Sequence, residues 1–272
     1  MIYKKILLKD IDKRFDNESA TLRIYISERN ESVQLRPGLL ICPGGGYTFC
    51  SPREAEPIAF RFLSEGFNCF ILNYTVNKKY PAPHLELGLV LSYIRQHEKE
   101  FDLIPNSLSI VGFSAGGHLV GTYGYLYQEI AKELLIDSEL IRPRAIIMGY
   151  PVTLMDERAH RDTREVISGG DKELMKKLDI PSHVDNKYPP TFLWATKDDE
   201  MVPVINTTLM EKALESSGIT YECHVFESGR HGGAVANRSC YSKMEFEPKM
   251  NDYRDWASKA SDFVFKVIDN EQ

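Results

Sequence analysis

Three observations predict an α/β fold: a mostly parallel central sheet with helices on both faces. Short, solid apolar runs alternate with helix-length amphipathic stretches along most of the chain. Glycine-rich or proline-rich punctuation ends the runs, as strand-to-helix turns require. With 272 residues, 43% of them hydrophobic and 26% charged, the chain can bury a sizeable core. Repeated strand–helix alternation implies parallel strands joined by right-handed crossovers. The expectation is one domain over 1–272, with a short cap inserted at 152–190.

The elements follow in order. Ala20, Leu22, Ile24 and Ile26 alternate with Thr21, Arg23, Tyr25 and Ser27, which predicts a half-buried strand in an antiparallel opening. Residues 39–42 are continuously apolar and suit a strand covered on both faces; Pro43-Gly44-Gly45-Gly46-Tyr47 stops it. Ser51, Pro52 and Glu54 read as a capping box, starting a helix that passes Ile58, Phe62 and Leu63 and ends at Gly66. A buried strand is expected at 67–72, a helix at 85–97, a strand at 107–111, a helix at 115–135 and a strand at 145–148. From Tyr150 to about Pro190 the pattern loosens into polar, mixed-charge sequence, the expected cap. A strand at 191–195, a helix at 206–217 closed by Gly218, a strand at 221–226 and a helix at 253–268 complete the chain.

Composition narrows the function classes. The net charge of −6, with Lys and Arg clustered no further than pairs such as Lys78-Lys79 and Lys176-Lys177, speaks against nucleic acid as a partner. Five cysteines without CxxC or CxxH spacing predict free, mostly buried thiols rather than a disulfide scaffold or a zinc site. The apolar run at the amino end is too short for a signal peptide, and no stretch reaches membrane-spanning length. A cytoplasmic protein without a membrane partner is expected; the oligomeric state is not legible.

In such sheets, chemistry collects at the carboxyl ends of the strands. There, behind Leu108-Ser109-Ile110-Val111, stands Gly112-Phe113-Ser114-Ala115-Gly116, with a helix directly after it. Glycines two places either side of a serine suit a sharp strand-to-helix turn, where Cβ atoms at 112 and 116 would clash. The helix start also offers the N–H of Ala115 to a developing negative charge.

A nucleophilic serine needs an oxyanion donor earlier in the chain, then an orienting acid and a base after it. The Pro43–Tyr47 loop fills the first slot, with the N–H groups of Gly45 and Gly46 as donors beside Ala115. For the acid, Asp198 and Asp199 compete after the late strand. Asp199 is favoured because Met201-Val202-Pro203 re-enters apolar packing and would anchor its loop. Asp198 would instead cap the turn, and Asp156 is a third candidate. Two of the seven histidines follow the acid. His224 lies within an alternating strand and reads as packed; His231, in Ser228-Gly229-Arg230-His231-Gly232-Gly233, lies in a loop suited to reaching the serine. His118, one turn into the elbow helix, reads as structural.

Together these motifs, with Ser51-Pro52-Arg53-Glu54-Ala55-Glu56-Pro57, resemble the α/β-hydrolase superfamily over about residues 39–231. Within it they are similar to the bacterial acetyl-xylan and related carbohydrate esterases, a branch also described as sugar hydrolases or esterase/lipase-like proteins. Proline at 43, where hormone-sensitive-lipase-type relatives carry the histidine of HGGG, separates the chain from that branch. The resemblance implies a triad of Ser114, Asp199 and His231 and a serine carboxylesterase (acetylesterase-like) hydrolysing small acyl esters, those of carbohydrates among them. That chemistry calls for no metal or organic cofactor. A peptidase or arylformamidase could use the same triad, and a hydrolase fold kept only for binding is the rival outside catalysis.

Overall fold

The computed structural model describes residues 1–16, 19–29, 35–240 and 252–270. Its strands are β1 (Ile2–Leu7), β2 (Thr21–Ile26), β3 (Gly38–Cys42), β4 (Asn68–Asn73), β5 (Ser109–Phe113), β6 (Ile146–Gly149), β7 (Thr191–Thr196) and β8 (Tyr221–Phe226). They form one sheet in the order β1-β2-β4-β3-β5-β6-β7-β8. β1 and β2 pair antiparallel, as do β2 and β4; the remaining pairs are parallel.

The helices are α1 (Leu8–Ile11), α2 (Glu56–Ser64), α3 (Ala82–Gln96), α4 (Ala115–Leu134), α5 (Arg161–Ser168), α6 (Lys172–Lys177), α7 (Ile205–Ser216) and α8 (Trp256–Asp269). Period-2 alternation sends the inner strands' side chains to two cores. Leu40, Phe70, Ile110, Met148 and Leu193 pack on one face with residues of α3, α4 and α7. Leu39, Ile41, Val111, Phe113, Ile147 and Trp194 pack on the other with α2 and α8. Both faces are covered, as the continuous apolar runs predict.

Two local expectations differ from the structure, and one strand was not anticipated. β2 is not half-buried: Thr21 and Tyr25 are covered too, Tyr25 stacking edge-on to Phe60 of α2 at 5.8 Å. β1, with four of its six residues exposed, had no pattern to announce it. The capping box is absent. Pro52–Glu54 is a single 3₁₀ turn, Ser51 makes no side-chain cap, and α2 starts only at Glu56. Glu54 is drawn inward instead, by an acceptor-seeking N–H on the neighbouring loop.

The five cysteines are free, three buried and two partly so. No helix among the described residues is long and apolar enough to cross a membrane.

Strand register brings the loops that matter to one edge. Cys42 pairs with Gly112, Phe113 with Gly149, Gly149 with Trp194, and Thr196 with Phe226. The carboxyl ends of β3, β5, β6, β7 and β8 therefore finish level with one another. The segments after them hold the oxyanion-loop candidates, Ser114, Tyr150, Asp199 and His231. Above this edge, residues 150–190 carry the short helices α5 and α6 and the 3₁₀ turn Ile180–His183.

Candidate active site

Ser114 sits between β5 and α4 with φ 52° and ψ −118°, a backbone conformation that side chains rarely adopt. Its neighbours have no room for a Cβ. One at Gly112 would lie 2.1 Å from the Gly116 carbonyl oxygen, and one at Gly116 would lie 2.1 Å from that of Cys42. The two glycines thus let a strained turn pass between its own helix and the end of β3.

The sharp turn aims the serine at a histidine far along the chain. His231 Nε2 lies 2.9 Å from Ser114 Oγ, and His231 Nδ1 lies 2.7 Å from Asp199 Oδ2. Asp199 Oδ1 accepts the N–H groups of Met201 and Val202, each at 2.9 Å. These bonds hold the carboxylate from behind, and its side chain is 1% exposed. A carboxylate can only accept from Nδ1, so Nδ1 carries the proton and the Nε2 lone pair faces the serine. In that state the pair can take a proton from Ser114 and hold the imidazolium that results.

The other candidates lie elsewhere. Asp198 Oδ1 accepts the Gly229 N–H at 2.6 Å, tying β7's loop to the histidine loop. Asp156 is paired with Arg158 in the segment after β6. His224 packs between Phe192 and Phe226, its Nε2 3.6 Å from Glu222. His118 is fully buried. Its Nε2 donates to the Leu178 carbonyl at 3.0 Å, which leaves Nδ1 to accept the Tyr47 hydroxyl at 3.0 Å. Burial lowers its pKa to about 4, so it is neutral near pH 7.

The loop after β3 lies against the serine. A Cβ at Gly44 would stand 2.9 Å from Ser114 Cβ and 2.6 Å from the Phe113 carbonyl oxygen. The Gly44 N–H is occupied, donating to Glu54 Oε2 at 2.8 Å. The N–H groups of Gly45 and Gly46 have no acceptor among the described residues. Ala115 opens α4, where first-turn N–H groups have no intrahelical partner.

Three polar groups here escaped the sequence. Glu54, 2% exposed, also accepts the Tyr150 hydroxyl, at 2.7 Å. Burial pushes its carboxyl above the ordinary range, against the Tyr150 hydrogen bond, the nearby His231, the Gly44 N–H and Arg53. Tyr150 follows β6 at the same edge as Ser114, and that position was the available signal. In the segment after β6, His160 Nδ1 accepts from Thr163 at the start of α5. A Cβ at Gly46 would lie 3.5 Å from His160 Cε1 and 3.6 Å from Asp162 Cβ, so the start of α5 stands over the loop after β3. Among the described residues no group of three or more His, Cys, Asp or Glu side chains is disposed to hold a metal ion.

Comparison with known proteins agrees with this architecture. The BD-FAE family model matches residues 22–214. The endo-1,4-beta-xylanase B of Butyrivibrio fibrisolvens is 30% identical over 221 residues, 78% of this chain and 35% of that protein. An acetylxylan esterase of Xylanibacter ruminicola is 28% identical over 201 residues, 70% of this chain and 39% of that protein. The chain thus spans well under half the length of these curated relatives. A solved structure described as a sugar hydrolase from Lactococcus lactis superposes with a TM-score of 0.82 at 31% identity, covering 100% of both chains. The chain is therefore an α/β-hydrolase belonging to the BD-FAE family.

Proposed function

We propose that the protein is a serine carboxylesterase that hydrolyses small acyl esters, acetyl esters of carbohydrates foremost, through an acyl-enzyme. The observation that carries the reading is the chain of contacts from Asp199 through His231 to a serine held on a strained elbow. In this reading Ser114 Oγ attacks the ester carbonyl while His231 Nε2 takes its proton. Asp199 keeps the imidazole in the required tautomer and stabilises its cation. The N–H groups of Ala115, Gly45 and Gly46 receive the oxyanion, and losing one such donor typically costs about 10²–10³ in rate.

His231 then returns its proton to the departing alcohol. A water enters, is deprotonated by His231, and attacks the acyl carbonyl, and Ser114 leaves with the proton back on its oxygen. The residues of this chain carry every step.

Support for the acyl and alcohol classes comes from relatives named for acetylxylan ester and sugar hydrolysis. Residues 152–190 serve, in this proposal, as a cap on a single domain, with the exposed Thr48 and Phe49 completing the substrate cleft, while Tyr47 is buried beneath them against His118. Support for the cap comes from His160 and Asp162 standing over Gly46.

Fluorophosphonate labelling followed by peptide mapping tests the assignment. The expected result is label on Ser114 alone and no ester turnover by Ser114→Ala. Label elsewhere, or activity surviving that substitution, would overturn it. Faster turnover of an aminoacyl anilide or an aryl formamide than of p-nitrophenyl acetate would move the protein to the amide-hydrolysing classes.

A further inference from the structure

We propose that Glu54 is a positioning residue for the reaction, a buried carboxylate that clamps the oxyanion loop and the histidine loop to each other behind Ser114. The inference rests on the esterase reading above and adds a group which that reading does not use.

The two carboxylate oxygens reach two different loops. Oε2 accepts the Gly44 N–H at 2.8 Å, and Oε1 accepts the Tyr150 hydroxyl at 2.7 Å. That hydroxyl oxygen in turn accepts the Ala234 N–H at 3.2 Å. A peptide N–H can only donate, so the hydroxyl's own proton is free to point at Glu54. Every bond then runs one way: Ala234 into Tyr150, Tyr150 into Glu54, and Gly44 into Glu54 from the other side.

Both ends of this relay abut the proposed chemistry. Gly44 is wedged against Phe113 and Ser114 and immediately precedes the proposed donors Gly45 and Gly46. Ala234 lies three residues beyond His231, and the Tyr150 ring meets the His231 ring edge-to-face, with centroids 4.9 Å apart and planes at 68°.

A purely structural role explains the arrangement less well. Burying a carboxylate is costly, and an apolar side chain would anchor the start of α2 without that cost. What an apolar side chain cannot do is hold two N–H-bearing loops at fixed positions relative to one serine. Small misplacements of such groups matter, because about 1 Å can cost on the order of 10²-fold in rate.

Glu54→Gln and Tyr150→Phe test this. Glutamine keeps the side-chain volume but offers one acceptor oxygen; its NH₂ can meet Tyr150 only by reversing that bond, in competition with the Ala234 N–H that the same hydroxyl oxygen accepts. The expected result for Glu54→Gln is kcat for p-nitrophenyl acetate lower by about 10- to 100-fold with KM near wild type, the pattern of a lost transition-state interaction. Fluorophosphonate labelling of Ser114 should slow in parallel, with the melting temperature close to wild type. Tyr150→Phe should lower kcat by about tenfold, and the double variant should be no slower than Glu54→Gln, since both cut one relay.

A folded Glu54→Gln with wild-type kcat would overturn the clamp. Should Glu54→Gln fail to fold, Tyr150→Phe with unchanged kcat would overturn it equally. In either case wild-type labelling at Ser114 leaves the esterase reading standing; wild type that neither labels there nor hydrolyses esters overturns both.

Discussion

Asp199 Oδ2 lies 2.7 Å from His231 Nδ1, whereas Asp198, one residue earlier, turns its Oδ1 to the Gly229 N–H at 2.6 Å. Adjacent aspartates thus face different jobs, and the backbone decides between them. In an Asp199→Asn variant, the amide oxygen is claimed by the Met201 and Val202 N–H groups, leaving an NH₂ facing His231. The imidazole must then put its proton on Nε2, where it cannot receive one from Ser114. We expect kcat to fall by about 10³–10⁴-fold. Asp198→Asn retains an acceptor for Gly229 and should stay within about threefold of wild type. Steady-state kinetics on a small acetyl ester separate the two.

The two histidines after Asp199 provide a second test. His224 stacks between Phe192 and Phe226, on the strand rather than in the loop, and no bond links it to Ser114. His224→Ala should therefore leave kcat near wild type and cost about 1–2 kcal/mol of stability through lost packing. His231→Ala should abolish measurable turnover while binding of a substrate analogue persists. Equal loss in both variants would contradict the proposed base.

What could be read beforehand, and what could not, follows from where the information lies. β3 to β7 were legible within about two residues because strands covered on both faces must be continuously apolar. β1 was not, since Lys4 and Lys5 interrupt a mostly exposed edge strand. α5 and α6 are short, and their few apolar residues show no sustained period. Within the site, Ser114 and its glycines are punctuation along one stretch of chain, and Asp199 and His231 follow the order that the fold imposes. The Glu54–Tyr150 bond joins residues 96 apart. Worse for the reader of sequence, Ser51 and Glu54 already satisfied a local capping rule, so nothing prompted a search for a distant partner.

His160 offers a test of the proposed cap. Burial chiefly lowers its pKa, and Nδ1 is taken by Thr163, so the neutral ring carries its proton on Nε2. That N–H is a fixed donor beside the proposed oxyanion loop. Replacing it by phenylalanine should raise KM for esters of hydroxyl-rich alcohols by about tenfold, the loss of one hydrogen bond. Turnover of p-nitrophenyl acetate, which lacks those hydroxyls, should change little. An equal effect on both substrates would remove His160 from alcohol recognition.

The tie that His118 makes between the 150–190 segment and the loop after β3 is sensitive to acid. It joins Leu178, after α6, to Tyr47 on the loop after β3, fully buried, with its pKa lowered by burial from 6.5 to about 4. Between those values the unfolded chain binds a proton that the folded one refuses, so stability is present above pH 6.5 and declines as pH falls toward 4. For this one group the loss between pH 7 and pH 5 is about 2 kcal/mol. His84, held well below its ordinary value by burial, adds a contribution of the same sign. Urea unfolding of wild type and His118→Gln at the two pH values isolates the His118 part. The variant should be less stable at pH 7, having lost the Tyr47 and Leu178 bonds, yet lose less on acidification, by about 2 kcal/mol. Parallel pH dependence in the two proteins would mean that His118 is not the group that titrates.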